Sequence, residues 1–268
     1  MAELPAGLTA TVVGLVADAG QRALAAWRTG VSGWDKAPGE PVSEVDLAVN
    51  RQLREGLSTL LPEAGWLSEE SADDPARLSR RWCWLVDPID GTRDLVRGRT
   101  GWCVSVALSD GGEPVLGVLD APALERRWVA ERGRGAFRDG VRLRAGARTA
   151  ITGARVPADA LSKADRDLTA VAKPNSIALR MAMVAADEAD LLATLRWGNE
   201  WDIAAAALLA EEAGAAATDA LGGPLLFNKR APHDFGVLVT APGIHAAAVE
   251  RLAPRARAVI GGAPPMVG

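Results

Sequence analysis

Leu8, Val12, Leu15, Val16, Ala19, Ala23 and Trp27 recur at intervals of three and four. They predict an amphipathic helix closed by Gly30, a residue suited to the position just past a helix end. Residues 31–42 carry two Gly, two Pro and mixed charge without a period, and predict a loop. A second helix is predicted from Ser43, an N-cap residue with Asp46 three positions on, where a capping box places its acid. Val45, Val49, Leu53, Leu57 and Leu60 form its apolar stripe, and Pro62 ends it. Beyond Trp66–Glu70 the pattern changes to apolar runs at 82–87, 102–108 and 115–119, separated by Gly, Pro or Asp, which predict strands of one sheet. The second half alternates: a strand at 168–171, a helix at 176–186, an apolar stretch at 191–195, a helix at 201–213 closed by Gly214, a strand at 237–240 and a helix at 242–252. A frayed tail is expected over 261–268.

Composition narrows the chemistry. Of 268 residues, 49% are hydrophobic and 24% charged, as in a folded globular chain. The net charge of −4 gives no global basic field for nucleic acid or anionic lipid. Seven Arg fall within 126–144, but interleaved Glu125, Glu131 and Asp139 and the turn residues Gly133, Gly135 and Gly140 make this a solvated hairpin edge rather than a nucleic-acid patch. With two His and two Cys, neither a Cys- or His-rich zinc site nor a histidine triad is expected, which leaves carboxylates. Cys83 and Cys103 stand singly in apolar runs, as buried reduced thiols do. With no leader-like N-terminus and no apolar run near 20 residues, a cytoplasmic protein without membrane contact is expected.

Asp87-Pro88-Ile89-Asp90-Gly91-Thr92 directly follows the apolar run at 82–87. Two acids three apart, with Pro fixing one turn and Gly permitting another, can converge on a hard cation. Gly91 and Thr92 can then present backbone N–H groups to a phosphate. Taken alone, the same spacing also fits a surface turn. Its company is Glu69-Glu70, just upstream, and Trp201-Asp202-Ile203-Ala204 at the start of an Ala-rich helix.

These three motifs, in this order, resemble the signatures of the inositol monophosphatase superfamily of magnesium-dependent, lithium-sensitive phosphatases, and the likeness runs from about residue 7 to about residue 245. The resemblance implies that Glu70, Asp87 and the Ile89 carbonyl hold one Mg2+. It implies that Asp87, Asp90 and Asp202 hold a second, with Glu69 supporting a weaker third. Thr92 and Asp46 resemble the pair that orients the attacking water, and with Glu70 they form the implied catalytic set; Asp46 also serves as a helix N-terminal cap. Electrostatics agrees. Asp46, Glu69, Glu70, Asp87, Asp90 and Asp202 would bring six negative charges into one cleft, and two carboxylates ~4 Å apart repel by roughly 4 kcal/mol at an effective dielectric near 20. A phosphate dianion enters such a cleft only with cations that neutralise it. The D-x-x-D spacing does not suit an aspartyl-phosphate enzyme of the haloacid dehalogenase type, an EF-hand loop is absent, and Gly133-Arg134-Gly135 lacks the third glycine of a dinucleotide fingerprint.

Three details resemble the 3′(2′),5′-bisphosphate nucleotidase branch, which acts on 3′-phosphoadenosine 5′-phosphate: Arg93-Asp94 after the D-G-T, a ten-residue spacer Leu191–Glu200 with no hydroxyl-binding Glu before Glu200, and Pro224-Leu225-Leu226-Phe227-Asn228. Inositol monophosphatase, another sugar phosphatase, or a non-catalytic protein- or RNA-binding member of the fold are the alternatives. Expected substrate contacts are Gly91, Thr92, Arg93, Ser176, Arg196, Trp197 and Asp202; Trp197 is the candidate for base stacking and Arg196 or Arg93 for the second phosphate. Asn175 stands before Ser176 where many members have Gly, so that turn must be made differently. The resemblance further implies an αβαβα sandwich of the inositol monophosphatase and fructose-1,6-bisphosphatase type (α+β, α/β), an α+β half over 1–147 and an α/β half over 148–268, and a homodimer.

Overall fold

The computed structural model describes residues 4–37 and 40–261, so the expected tail at 262–268 lies outside the described residues. The two predicted N-terminal helices form as α1 (Leu8–Thr29) and α2 (Glu44–Leu60), each burying its apolar stripe. Between them the expected loop is instead an antiparallel hairpin, β1 (Gly33–Ala37) and β2 (Glu40–Ser43). Its Gly and Pro residues erase the alternation that marks a strand, yet Pro41 is tolerated opposite Asp35 because a two-stranded ribbon is all edge.

Next come β3 (Gly65–Ser68), β4 (Trp82–Asp90), the short helix α3 (Thr92–Val96), β5 (Cys103–Asp110), β6 (Glu113–Ala121), β7 (Arg126–Glu131), β8 (Gly135–Arg138) and β9 (Val141–Arg142). These strands form one seven-stranded sheet in chain order, parallel only between β3 and β4. The Arg-rich segment is its edge, with Val141 exposed and Arg127, Arg132, Arg134 and Arg138 each paired to an acid. The second half supplies β10 (Arg155–Pro157), β11 (Thr169–Val171), α4 (Ile177–Ala185), β12 (Leu191–Ala193), β13 (Trp197–Asn199), α5 (Glu200–Glu212), β14 (Ala216–Thr218), β15 (His233–Phe235), β16 (Leu238–Thr240) and α6 (His245–Ile260). The last helix runs eight residues past its expected end, through Pro254. That proline is exposed, so water can satisfy the carbonyl it leaves unbonded.

Strand alternation sorts the sheet's side chains onto two faces. Trp84, Val86, Val104, Val106, Leu116 and Val118 pack under α1 and α2, while Cys83, Leu85, Cys103, Ala107, Leu119 and Ala121 pack under α4 and α5. Burial on both faces explains why these strands read as near-continuous apolar runs. Beyond α4 and α5 lies a three-stranded sheet in the order β12–β16–β14, covered by α6. The layers are therefore αβαβα, as expected. The boundary near residue 148 divides the chain but not its core, since α4 and α5 share one apolar cluster with the first half's sheet. Both cysteines are buried and free. Among the described residues no helix is long and apolar enough to cross a membrane.

Candidate active site

Every residue of β4 is buried, and its C-terminal end carries Asp87 and Asp90. Residues three apart on a regular strand point to opposite faces, but the register against β5 slips between Asp87↔Ser105 and Asp90↔Cys103. This one-residue bulge, over Pro88 and Ile89, lets both carboxylates serve one site. Asp87 Oδ1 accepts from the Ile89 N–H at 2.9 Å. Asp90 meets the N-terminus of α4: Oδ2 accepts from Ser176 Oγ at 2.5 Å and Ala178 N at 2.7 Å, and Oδ1 accepts from Ile177 N at 3.2 Å. Gly91 then turns with φ +96°. A Cβ there would lie 2.7 Å from the Gly101 carbonyl oxygen and 3.0 Å from Ser176 N, so the close approach of the two halves requires glycine.

Thr92, the first residue of α3, is buried, and its hydroxyl lies 2.9 Å from both Asp46 Oδ1 and the Ile89 carbonyl oxygen. Asp46 is 1% exposed and closes the expected capping box, its Oδ2 accepting from Ser43 N and Oγ. The same carboxylate thus caps α2 and holds Thr92. Glu69 and Glu70 follow β3, whose parallel pairing with β4 sets Ser68 beside Val86 and so brings the acid pair alongside Asp87. Asn50 on α2 fixes their backbone, donating to the Glu70 carbonyl oxygen at 2.9 Å and accepting from Ser68 Oγ at 2.8 Å. Asp202 sits in the first turn of α5.

Burial, and then the charges of Glu69, Asp90, Asp202 and Asp46, hold the Asp87 carboxyl well above the usual carboxylate range. Burial, and then Asp90 and Glu69, do the same to Asp202. Asp90 is also raised by burial, although Ser176, the α4 N–H groups and Arg180 pull it back. Burial raises Asp46 against the hydrogen bonds from Ser43 and Thr92, and raises Glu69 against the charge of Lys36. Lys36, on the hairpin, reaches Glu69 Oε1 at 3.0 Å and Glu70 Oε1 at 2.6 Å. Those two acids raise its pKa despite its own burial. These mutual effects couple the acids electrostatically, though among the described residues no three of the acidic side chains are gathered closely enough to hold a metal ion by themselves.

The donor set fits a hard divalent cation. It consists of carboxylates and one main-chain carbonyl, without softer ligands, and burial and mutual repulsion raise the pKa values of Asp87 and Asp202, a cost that a bound cation offsets.

Other expected contacts divide. Arg196 lines a small cavity with Asp202 and Asp234, and Trp197 stands beside it, 42% exposed, edge-on to Phe235 at 5.6 Å. Arg93 lines a different groove, with Trp34 and Arg97, so it does not join Arg196 at one subsite. Ser176, expected to touch substrate, is fully buried; its hydroxyl donates to Asp90 and accepts from Leu179 N, so it orients a carboxylate and caps α4 instead. The turn before it needs no left-handed residue, and Asn175 donates its N–H to Asp94 Oδ2 at 3.2 Å. Sequence reasoning missed Lys36, Arg180 and Glu200. Lys36 lies in a segment without periodicity, Arg180 is an ordinary charge within helical sequence, and Glu200 stands out in the sequence only as the end of the spacer.

The family model described as the inositol monophosphatase family matches residues 5–260. An inositol-1-monophosphatase of Rhizobium meliloti (strain 1021) is 35% identical over 205 residues, 70% of this chain and 75% of that protein. The 3′(2′),5′-bisphosphate nucleotidase CysQ of Escherichia coli (strain K12) is 34% identical over 206 residues, 73% of this chain and 82% of that one. Among solved structures, the Thermotoga maritima IMPase TM1415 superposes with a TM-score of 0.79 at 26% identity, covering 92% of this chain and 97% of that chain. Motifs, layered fold and matches agree: the chain belongs to the inositol monophosphatase family and is a phosphatase.

Proposed function

We propose that this phosphatase works with Mg2+ held by Glu69, Glu70, Asp87, Asp90, Asp202 and the Ile89 carbonyl, and that its substrate is a nucleoside 3′,5′-bisphosphate such as 3′-phosphoadenosine 5′-phosphate. Bound divalent cations supply neutralising charge, Lewis acidity toward phosphoryl oxygens and a more acidic water. The chain's own residues do the rest. Thr92 has one hydroxyl proton and two acceptors; donated in a hydrogen bond to Asp46, it leaves a lone pair of the Thr92 oxygen free to accept a hydrogen bond from the attacking water and hold that water in line. Asp46, already filled by Ser43, fixes the Thr92 rotamer. Gly91 and Thr92, at the turn into α3, are the backbone positions expected to meet the phosphate.

The substrate reading is carried by the spacer before α5. Its single acid, Glu200, is fully buried and committed to Asn228 and Lys229, so the spacer itself offers a polyol no carboxylate. What it does offer is the exposed face of Trp197 and the Arg196 guanidinium, which suit a flat base and a second phosphate. Inositol 1-phosphate is the competing substrate, since the two named relatives are equally similar to this chain. The test is kcat/KM for 3′-phosphoadenosine 5′-phosphate, inositol 1-phosphate and fructose 1,6-bisphosphate on one preparation. A preference of tenfold or more for the nucleotide is expected; the reverse preference overturns the substrate and leaves the site chemistry standing. Lithium inhibition and a homodimer belong to the same reading, checked by Li+ titration of turnover and by sedimentation.

A further inference from the structure

Two buried ionic side chains outside the acid cluster grip one short segment from opposite directions. Arg77 is 2% exposed and lies on the 3-10 turn Pro75–Ser79, just beyond Glu69 and Glu70. Asp73 takes its guanidinium in a fork, at 2.6 Å from Nε and 2.9 Å from Nη2. Its remaining reach goes to Asn228 Oδ1 at 2.7 Å and the Lys229 carbonyl oxygen at 2.9 Å, and Asn228 Nδ2 returns to the Arg77 carbonyl oxygen at 3.3 Å. From the other direction Glu200, 0% exposed, accepts from Asn228 N at 2.5 Å and Lys229 N at 3.1 Å, with Lys229 Nζ 3.2 Å away. Lys229 Nζ also reaches Asp234, which lines the small cavity that Asp202 lines.

The two ends of this chain of contacts sit beside the two ends of the acid site. Asp73 is three residues past Glu70, and Glu200 opens the helical turn that carries Asp202. We propose that Arg77 and Glu200 are positioning residues. Through Asn228 and Lys229 they fix the spacing between the Glu69–Glu70 end of the site and Asp202, and so its affinity for divalent cations. The proposal rests on the reading of those acids as a cation site.

Stability alone does not account for the arrangement. Buried ion pairs can often be exchanged for apolar side chains of similar volume at no loss, because desolvation cancels much of their attraction. What apolar packing lacks is direction: a guanidinium fork and a carboxylate accepting two successive N–H groups fix distance and angle together. Mg2+ tolerates little deviation from octahedral geometry, and a displacement of about 1 Å at a reacting site can cost on the order of 100-fold in rate.

The test titrates Mg2+ into the metal-free full chain by calorimetry and measures kcat and KM for Arg77→Lys, Glu200→Gln, Asn228→Gly and the double variant Arg77→Lys/Glu200→Gln. Asn228 has φ +59°, so glycine keeps the backbone while deleting the Arg77 acceptor. Each single variant is expected to weaken Mg2+ binding at least fivefold and to lower kcat at saturating Mg2+ at least tenfold, with KM changed less than threefold. The double variant should bind no more than about twofold more weakly than the worse single, because both changes release the same segment. Mg2+ affinity and kcat within twofold of wild type in Arg77→Lys and Asn228→Gly would overturn the proposal, as would effects that multiply in the double variant. If Glu200→Gln fails to fold, those two variants decide. A wild-type chain that binds no Mg2+ would instead overturn the cation reading, and this proposal with it.

Discussion

Thr92 has one proton to give and two acceptors at 2.9 Å, a choice that links the proposed water-orienting pair, Thr92 and Asp46, to the Ile89 carbonyl. Removing the hydroxyl should therefore impair alignment rather than binding. Thr92→Ala is expected to lower kcat by a factor of about 100 or more while KM changes only a few-fold, since alignment matters mainly in the transition state. Steady-state kinetics at saturating Mg2+ measures the split; normal kcat with a raised KM would make Thr92 a phosphate contact only. At this scale the acids were legible in the sequence, because Asp87, Asp90, Glu69, Glu70 and Asp202 stand in short motifs with chemically specific spacing. Lys36, Arg77 and Glu200 were not. Apart from Asp73, four residues before Arg77, their partners lie 28 to 152 residues away, and no local pattern reports such contacts.

The helix α5 lies against β6 so closely that a Cβ on Gly117 would fall 2.8 Å from the Ala205 carbonyl oxygen and 3.1 Å from its Cα. Backbone atoms on both sides have little room to retreat. Gly117→Ala is expected to destabilise the fold by about 1–3 kcal/mol through overpacking, and to loosen the element that carries Asp202. Denaturant unfolding measures the loss, and an unchanged midpoint would mean that α5 can shift away at no cost. The fold's long elements were readable in the same way as its acids: α1 and α2 have clean stripes, and β4 to β6 are apolar throughout because helices cover both faces. The hairpin β1–β2 and the short β3 escaped detection. One is punctuated by Gly and Pro and the other has four residues, too few for alternation to appear.

Across the whole molecule, charge is used in two opposite ways. Around Asp190, 2% exposed, acid and base are matched: burial would raise its pKa, but Arg155, donating from its N–H, Nε and Nη2, and the charge of Arg148 hold it below the usual value. A carboxyl depressed in the folded state contributes stability above its unfolded pKa, and the contribution is lost as pH falls through the folded value, here in the range below about 4. Asp190→Asn should cost on the order of 1–3 kcal/mol near neutral pH, with the gap to wild type closing as pH drops through that range. Thermal melts at pH 7 and pH 3.5 test this, and a gap that stays constant would contradict it.

The active site does the reverse, holding Asp46, Glu69, Asp87, Asp90 and Asp202 together with their pKa values raised, an arrangement that calls for added positive charge. The most direct measurement is phosphate release from 3′-phosphoadenosine 5′-phosphate and inositol 1-phosphate by the full chain, stripped with EDTA and then returned to millimolar Mg2+, with Asp90→Asn and Asp202→Asn alongside. The account predicts no turnover after stripping, full recovery with Mg2+, and a loss of at least about 100-fold in both variants while their folding cooperativity is retained. Undiminished turnover in EDTA, or variants as active as wild type, would contradict it.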